Sequence, residues 1–190
     1  LCGVDLQVAK APHGAPIWPS HYDGSISHSH NRAVAIMGID RAAQTMGVDI
    51  EYYNAKNTAL IVAKVLNEDE KIFLAQCNFL EFDLLCAIVF SAKESLFKAL
   101  YPQLGFDFYF DAASIVRLYG SSSQGHFIFK INRMLSSSLN TQSYLRGEYE
   151  FDGEYVLTMI FSKACIGIAN LNRGFDLNIL AHLSDQMDQY

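Results

Sequence analysis

A long apolar segment in the middle of the chain, residues 82–100, constrains the fold more than any other feature. Its spacing predicts one long helix, and Pro102 and Gly105 follow it as signals for the helix end. Its longest apolar run, Leu84–Phe90, is too short to cross a bilayer and is typical of a protein core. We therefore expect a mostly buried helix with only a narrow polar strip.

Strand patterns flank this helix on both sides. A further helix is predicted over 57–66, and Asn67 is a suitable N-cap for another, with acidic residues in its first turn. Asp152-Gly153 predicts a hairpin with a type I′ turn. The fold class is therefore α+β, with a helical middle between two strand-rich halves. The predicted strands are 24–28, 33–39 and 46–53 before the long helix, and 113–119, 126–132, 144–151 and 155–162 after it.

Composition narrows the class of protein without deciding its function. The chain has 190 residues, 51% of them apolar, which is enough for a sizeable core. The net charge of −6 disfavours nonspecific nucleic-acid binding, although a metal ion and a few local cations can still hold an anionic ligand. No segment resembles a signal peptide or a membrane span, so we expect a cytoplasmic protein without membrane contact. The four cysteines form no C-x-x-C pair, which predicts reduced thiols.

The first cluster of candidate functional residues is Gly47-Val48-Asp49-Ile50-Glu51. On a strand, residues two apart face the same way, so Asp49 and Glu51 would project together. Two such carboxylates repel each other unless a cation lies between them, and Mg²⁺ prefers carboxylate, phosphate and water oxygens. The alternative interpretation is an ordinary amphipathic strand with a solvated acidic face.

The second cluster lies in the long helix and reads Phe90-Ser91-Ala92-Lys93-Glu94-Ser95-Leu96-Phe97-Lys98-Ala99-Leu100. Glu94 and Lys98 are four residues apart and therefore adjacent on the helix surface. A surface ion pair would account for these two residues alone. It does not account for two lysines that bracket the acid on an otherwise apolar helix. A carboxylate with flanking ammonium groups is suited to hold a metal ion together with a diphosphate.

The third cluster is Trp18-Pro19 followed by Gly24-Ser25-Ile26-Ser27-His28-Ser29. His28 is predicted where a strand meets a turn, with Ser27 beside it. Together with Arg32, these groups would make a phosphate pocket. Two alternatives stay open. His28 could be a hydrogen-bonded structural residue, or it could bind a transition metal together with His30.

The order of these three clusters resembles the 4′-phosphopantetheinyl transferase superfamily. The resemblance rests on Trp-Pro with Gly-Ser-Ile-Ser-His, then Gly-Val-Asp-Ile-Glu, then Phe-Ser-Ala-Lys-Glu-Ser-x-Phe-Lys-Ala. It covers roughly residues 16–101, and the third motif is highly specific. The phrasing is most similar to the enterobactin synthetase component D type. Residues 102–190 match only in general character, as a strand-rich second half.

The resemblance implies an enzyme that transfers phosphopantetheine from coenzyme A to a serine of an acyl or peptidyl carrier protein. It implies Mg²⁺ as cofactor, held by Asp49, Glu51 and Glu94. Glu94, directly or through a metal-bound water, would be the catalytic base, and Lys98 would be a second catalytic residue that contacts the phosphates. Further contacts to coenzyme A are expected from His28, at the 3′-phosphate, and from Ser27, Arg32 and Lys93, the last of which would hold the diphosphate or the helix start.

The resemblance also implies an architecture. We expect a monomer of two similar α/β lobes, related by a pseudo-twofold axis, with the coenzyme A site in the cleft between them. The first lobe would span residues 1–101 and the second 102–170, followed by a tail, 171–190.

One departure from the family pattern keeps alternatives open. Gly14-Ala15-Pro16 lacks the basic residue that surfactin-type relatives carry in this turn, so Lys10 or His13 would have to supply a nucleotide contact. A non-catalytic protein that binds coenzyme A or a nucleotide is the alternative function. A siderophore carrier is expected as partner, although fatty-acid and polyketide carriers, and Mn²⁺ in place of Mg²⁺, stay open.

Overall fold

The computed structural model describes residues 7–12, 14–39, 45–161 and 167–170. Within these ranges, the seven predicted strands and three predicted helices occur in the predicted order, and the predicted mixture of α and β structure is confirmed, but the short strands 9–10, 16–17 and 167–170 were not predicted. The helices are α1 (Thr58–Lys64), α2 (Glu68–Gln76) and α3 (Phe82–Leu104). The strands are β1 (Ala9–Lys10), β2 (Pro16–Ile17), β3 (Tyr22–Ser29), β4 (Arg32–Ile39), β5 (Met46–Tyr52), β6 (Ala113–Gly120), β7 (Gln124–Ile131), β8 (Tyr144–Phe151), β9 (Tyr155–Phe161) and β10 (Gly167–Asn170).

The main sheet has five described strands in the order β5-β9-β8-β7-β6, and all neighbours are antiparallel. β5 precedes the long helix in sequence, whereas the other four strands follow it. A smaller sheet has the order β10-β4-β3, so it too joins strands from both halves of the chain. Both sheets therefore pair strands across the boundary that we predicted between residues 101 and 102.

The predicted N-cap of α2 is confirmed. The Asn67 side chain accepts a hydrogen bond from the Glu70 N–H at 2.9 Å, and the Glu70 carboxylate accepts one from the Asn67 N–H at 3.1 Å. This reciprocal pair is a capping box, which satisfies two backbone donors that have no partner within the helix. It fixes where α2 starts and holds the Glu70 carboxylate inside the protein.

The long helix α3 extends further than predicted. It continues through Pro102 to Leu104, so the predicted end at Leu100 was wrong. Proline lacks an N–H and removes one backbone hydrogen bond, but only two residues of the helix follow Pro102, so little of the helix depends on that bond. The helix ends at Gly105, which adopts φ +69° and donates its N–H to the Tyr101 carbonyl at 2.9 Å.

Two apolar layers lie on opposite faces of the main sheet. One layer lies between the sheet and the helices and includes Leu85 and Phe127. In the other, Ile36 of β4 packs with Val48 of β5 and Leu157 of β9. Burying a side chain of this size contributes about 1.5–3 kcal/mol. Because β5 has an apolar layer on one face and α3 on the other, any polar side chain that it points toward α3 must find partners there.

The β8–β9 hairpin lies where the sequence predicted it, but its turn type was wrong. A type I′ turn needs positive φ at both central residues. Gly153 has φ +96°, whereas Asp152 is not in the positive region. The loop has three residues, 152–154, and Asp152 Oδ1 accepts the N–H groups of Glu154 at 2.9 Å and Tyr155 at 2.8 Å. The aspartate side chain thus replaces part of the backbone bonding of the predicted turn.

Candidate active site

The predicted alternation along β5 is confirmed. Val48 and Ile50 belong to the apolar layer beneath β4, and Asp49 points to the opposite face, toward α3. Asp49 is only 2% exposed. The alternative of a solvated acidic face is therefore wrong for this residue, because a buried carboxylate needs polar or charged partners.

Gly47 allows β5 to approach the backbone of α3. A Cβ atom at this position would lie 2.0 Å from the Ser95 carbonyl oxygen and 2.6 Å from the Ala99 nitrogen. No side chain fits there, so the strand and the helix can be this close only with glycine. Asp49, two residues further along β5, is consequently within hydrogen-bond distance of side chains on α3.

The Asp49 carboxylate accepts three side-chain hydrogen bonds. Oδ1 accepts from Ser27 Oγ at 2.9 Å and from Lys98 Nζ at 2.6 Å, and Oδ2 accepts from Ser91 Oγ at 2.8 Å. Lys98 also donates to Ser27 Oγ at 2.9 Å. The structure therefore brings together three residues that the sequence singled out, Ser27 of β3, Asp49 of β5 and Lys98 of α3.

Glu51 lies at the edge of the same group. Its carboxylate accepts a long hydrogen bond from Ser29 Oγ, at 3.4 Å. Partial burial raises the pKa of Glu51 to about 7, and the negative charges of Asp49 and Glu94 add to this rise, while Lys98 opposes it. Burial is thus the main cause of the raised pKa of Glu51, and a shortage of positive charge is not needed to explain its direction.

Glu94 completes the group on the helix side. Burial raises its pKa, the Asp49 charge adds to the rise, and Lys98 opposes it. Within the described residues the Glu94 carboxylate accepts no hydrogen bond. We call Asp49, Glu51, Glu94 and Lys98 the acidic cluster. Its three acids carry more negative charge than the one lysine can balance.

The acidic cluster has the composition of a divalent-cation site but not its closed geometry. Across residues 7–12, 14–39, 45–161 and 167–170, no three His, Cys, Asp or Glu side chains form a group that could hold a metal ion as they stand. The sequence predicted a cation between the carboxylates. In the structure, the Lys98 ammonium pairs with Asp49. The chemistry of the donors nevertheless suits Mg²⁺, because carboxylate oxygens are ligands that this ion prefers, and the three acids outnumber the one lysine. Magnesium binding by Asp49, Glu51 and Glu94 stays a prediction.

Lys93 does not join the acidic cluster. Its ammonium donates to Glu70 Oε2 at 2.7 Å, to the Phe110 carbonyl at 2.8 Å and to the Val65 carbonyl at 3.1 Å. Burial lowers the pKa of Lys93, and the Glu70 carboxylate opposes this change. With all three donors used, Lys93 links α3 to the start of α2 and to the segment before β6. These contacts give no support to the predicted contact with the diphosphate.

Ser27 and His28 point to opposite faces of β3, as neighbouring strand residues must. Ser27 is buried against Asp49, whereas the His28 side chain is exposed. The His30 ring packs on Tyr52, with ring centroids 4.5 Å apart. In the part of the chain that the structure describes, no group of three metal-ligating side chains includes these histidines. The role of His28 at a 3′-phosphate stays a prediction.

Arg32 contacts the β8–β9 hairpin. Its guanidinium pairs with Asp152 and with Glu154 Oε2 at 3.3 Å, and lies 4.0 Å from the centre of the Tyr155 ring. Burial acts to raise the pKa of Asp152, but hydrogen bonds from Arg32 and from two backbone N–H groups outweigh it and lower the pKa. The described contacts of Arg32 are thus with the hairpin, and a phosphate pocket formed by Arg32 together with Ser27 stays a prediction.

Sequence reasoning missed several serines around Asp49. Ser25 and Ser29 accept the backbone N–H groups of Val48 at 3.0 Å and Tyr52 at 3.1 Å, so β3 satisfies donors along the edge of β5. The signal was present as serine at every second position of a strand, residues 25, 27 and 29. On α3, Ser91 donates to Asp49, and the spacing of Ser91 and Ser95 on a buried helix face was a second signal.

Residues 45–160 match the 4′-phosphopantetheinyl transferase superfamily, and residues 3–38 match the N-terminal domain of 4′-phosphopantetheinyl transferases. Because the first match covers more than half of the chain, the protein belongs to the 4′-phosphopantetheinyl transferase superfamily. The family predicted from the three motifs is thereby confirmed. Within the described residues, no helix is both long and apolar enough to span a membrane.

Individual relatives agree with this assignment. Enterobactin synthase component D of Salmonella austin is 32% identical over 133 residues, which are 70% of this chain and 55% of that protein. The 4′-phosphopantetheinyl transferase Svp of Streptomyces mobaraensis is 34% identical over 103 residues, 54% of this chain and 42% of that protein. The 4′-phosphopantetheinyl transferase PptT of Mycobacterium tuberculosis is 27% identical over 162 residues, which are 80% of this chain and 67% of that protein. The chain thus spans about half the length of its enterobactin synthase relative.

Proposed function

We propose that this chain transfers the 4′-phosphopantetheine group of coenzyme A to a serine of an acyl or peptidyl carrier protein. Membership of the superfamily supports the reaction class. The observation that carries the proposal for this chain is the acidic cluster, in which residues from β5 and α3 meet in one partly buried place. Perturbed carboxyl groups around a lysine are typical of a functional site.

The chemistry assigns distinct roles to these side chains. The carrier serine oxygen forms a bond to the β-phosphorus of coenzyme A, and the bond to the leaving adenosine 3′,5′-bisphosphate breaks. Reactions of this kind depend mainly on positioning and charge stabilisation. Lys98 supplies positive charge to the phosphate oxygens. Glu94, directly or through a bound water, takes the proton of the attacking serine.

Asp49, Glu51 and Glu94 would hold the magnesium ion, which when bound neutralises diphosphate charge and polarises the phosphoryl group. The hydrogen bonds from Ser27 and Ser91 keep the Asp49 carboxylate in one orientation. Lys98 is held beside it and is therefore placed to serve the same anionic substrate. The exposed His28 is assigned to the 3′-phosphate.

A cleft of about 230 Å³ opens beside Glu94 and supports a substrate site there. Its walls include the aromatic side chains of Phe97, Phe108, Tyr109 and Phe110. Mostly apolar walls with a few polar groups are typical of sites for small molecules. We assign this cleft to the pantetheine arm of coenzyme A.

The test is incubation of an apo carrier protein with the full chain, coenzyme A and Mg²⁺, followed by mass spectrometry. The expected result is a carrier that gains one phosphopantetheine, and no gain when a chelator replaces Mg²⁺. The relatives named for enterobactin synthesis favour a siderophore carrier as the first substrate to try. Coenzyme A binding without any modified carrier would instead support the non-catalytic alternative.

A further inference from the structure

Three buried hydroxyl groups lie in a row behind the Asp49 carboxylate. Ser95 Oγ is 2.7 Å from Thr158 Oγ1, Thr158 Oγ1 is 2.9 Å from Ser91 Oγ, and Ser91 Oγ donates to Asp49 Oδ2 at 2.8 Å. None of the three residues is exposed to solvent, since each has 0% exposure. We call this row the hydroxyl chain. It starts in α3, crosses to Thr158 of β9 and returns to α3.

The direction of the hydrogen bonds follows from counting protons, because each hydroxyl has one to donate. Ser91 uses its proton on Asp49, so its contact with Thr158 requires Thr158 to donate. Thr158 then has no proton left for Ser95, so the single Ser95 proton is shared between Thr158 Oγ1 at 2.7 Å and the Thr158 carbonyl at 2.9 Å. Thr158 and Ser91 therefore both donate toward the carboxylate, and Ser95 supports Thr158 from behind.

The hydroxyl chain does more than satisfy one buried polar group. Hydrogen bonds in series at low local dielectric strengthen one another, and a half-satisfied network would be costly. It fixes Asp49 Oδ2 from behind, on the side where β9 and α3 meet. Ser27 and Lys98 act on the other oxygen, Oδ1.

We infer that the hydroxyl chain Ser95–Thr158–Ser91 is a positioning device that holds Asp49 in the orientation in which it binds a divalent cation. This inference rests on the proposed function, in which Asp49 is a metal ligand. The three residues act through Asp49 and touch no substrate. Partners behind a metal ligand typically change metal affinity 10–100-fold when they are removed.

The test compares Mn²⁺ affinity, in the presence of coenzyme A, by electron paramagnetic resonance of free Mn²⁺. Thr158→Val removes the central hydroxyl and keeps the shape of the side chain, whereas Thr158→Ser keeps the hydroxyl. Ser91→Ala removes the last donor. Ser114→Ala is the matched control, because Ser114 is also buried but contacts Asn67 and Asn132 instead of Asp49.

We expect Ser91→Ala and Thr158→Val to bind Mn²⁺ about tenfold more weakly or worse, and Thr158→Ser and Ser114→Ala to keep wild-type affinity. Equal affinities for Thr158→Val and Thr158→Ser, an equal loss in Ser114→Ala, or no Mn²⁺ binding by the wild type would overturn the inference. If Ser91→Ala does not fold, the Thr158 pair decides. A wild-type chain that binds Mn²⁺ but modifies no carrier would reject the transferase proposal alone, since the affinity comparison does not depend on turnover.

Discussion

The three carboxylates of the acidic cluster belong to one site but have different surroundings. Asp49 accepts three side-chain hydrogen bonds, whereas Glu51 accepts one long one and Glu94 accepts none from the described residues. Asp49 is therefore held in place, while Glu51 and Glu94 carry raised pKa values and are available for a new partner. Neighbouring acids whose environments differ in this way commonly have separate roles in catalysis.

Glu94→Ala is predicted to abolish phosphopantetheine transfer and to reduce coenzyme A binding at most in part. Loss of a general base typically lowers the rate about 10²–10⁴-fold. Mass spectrometry of the carrier measures transfer, and calorimetry measures coenzyme A binding. Glu68→Ala is the control, because the Glu68 side chain is 84% exposed in α2. Normal turnover by Glu94→Ala would show that another residue is the base.

The raised pKa of Glu51 predicts a pH dependence of folding stability in the absence of metal. The folded pKa is about 7 and the ordinary value is 4.5, so between these values the folded chain binds this proton more readily than the unfolded chain. The Glu51 contribution is thus most favourable below the ordinary pKa and is lost as the pH rises through the folded pKa.

Glu51→Gln should therefore be more stable than the wild type at about pH 8, and should lose this advantage below about pH 4.5. Mg²⁺ should reduce the difference at high pH, because it would stabilise the ionised carboxylate. Urea unfolding of both proteins across this pH range measures the effect. A variant that is less stable than the wild type at high pH would contradict the prediction.

At the scale of elements, the junction of α2, α3 and β6 depends on a buried ion pair. The side chains of Lys93 and Glu70 are 2% and 1% exposed. Glu70 also accepts the backbone N–H groups of Asn67 and Ile115, so one carboxylate caps α2 and bonds to β6. Removing one member of such a pair leaves an uncompensated buried charge, which typically costs about 3–5 kcal/mol.

Lys93→Met is predicted to destabilise the fold by about that amount, and Glu70→Gln in the same chain should recover much of the loss. Glutamine is neutral and keeps one acceptor oxygen, so it can retain one of the two backbone hydrogen bonds, which Glu70 accepts on separate oxygens. Thermal unfolding of both single variants and the double variant measures the coupling between the two residues. Coenzyme A affinity of the double variant should stay near that of the wild type. A large loss of affinity would instead place Lys93 at the diphosphate.

At the scale of the whole molecule, the β3–β4 turn is attached to the β8–β9 hairpin. Arg32 pairs with Asp152 and Glu154, and the Tyr155 hydroxyl donates to Asn31 at 2.7 Å. β3 also carries Ser27, so this attachment helps to keep Ser27 beside Asp49. The first and second halves of the chain therefore build the site together.

Arg32→Met is predicted to lower the free energy of unfolding by about 1.5–3 kcal/mol, the usual contribution of hydrogen bonds to charged groups. Arg133→Met is the matched control, because Arg133 also pairs with an aspartate, at 3.6 Å, but both side chains are well exposed. Such exposed pairs contribute about 0–1 kcal/mol. Denaturant unfolding compares the two variants. Equal effects would mean that Arg32 is no more than a surface charge.

Local sequence patterns were enough to predict most of the helices and strands and the superfamily of the protein. Strand alternation placed Asp49 on the face opposite Val48, the capping residues placed the start of α2, and three ordered motifs identified the superfamily. These features depend on neighbours along the chain, so a sequence displays them directly.

Only the tertiary structure decided which side chains meet. It paired Lys93 with Glu70, Arg32 with Asp152, and Thr158 with the two serines of α3. These partners are 23 to 120 residues apart in sequence. Their contacts depend on how strands from both halves pair and on how closely Gly47 lets β5 approach α3, and neither is encoded in any local pattern.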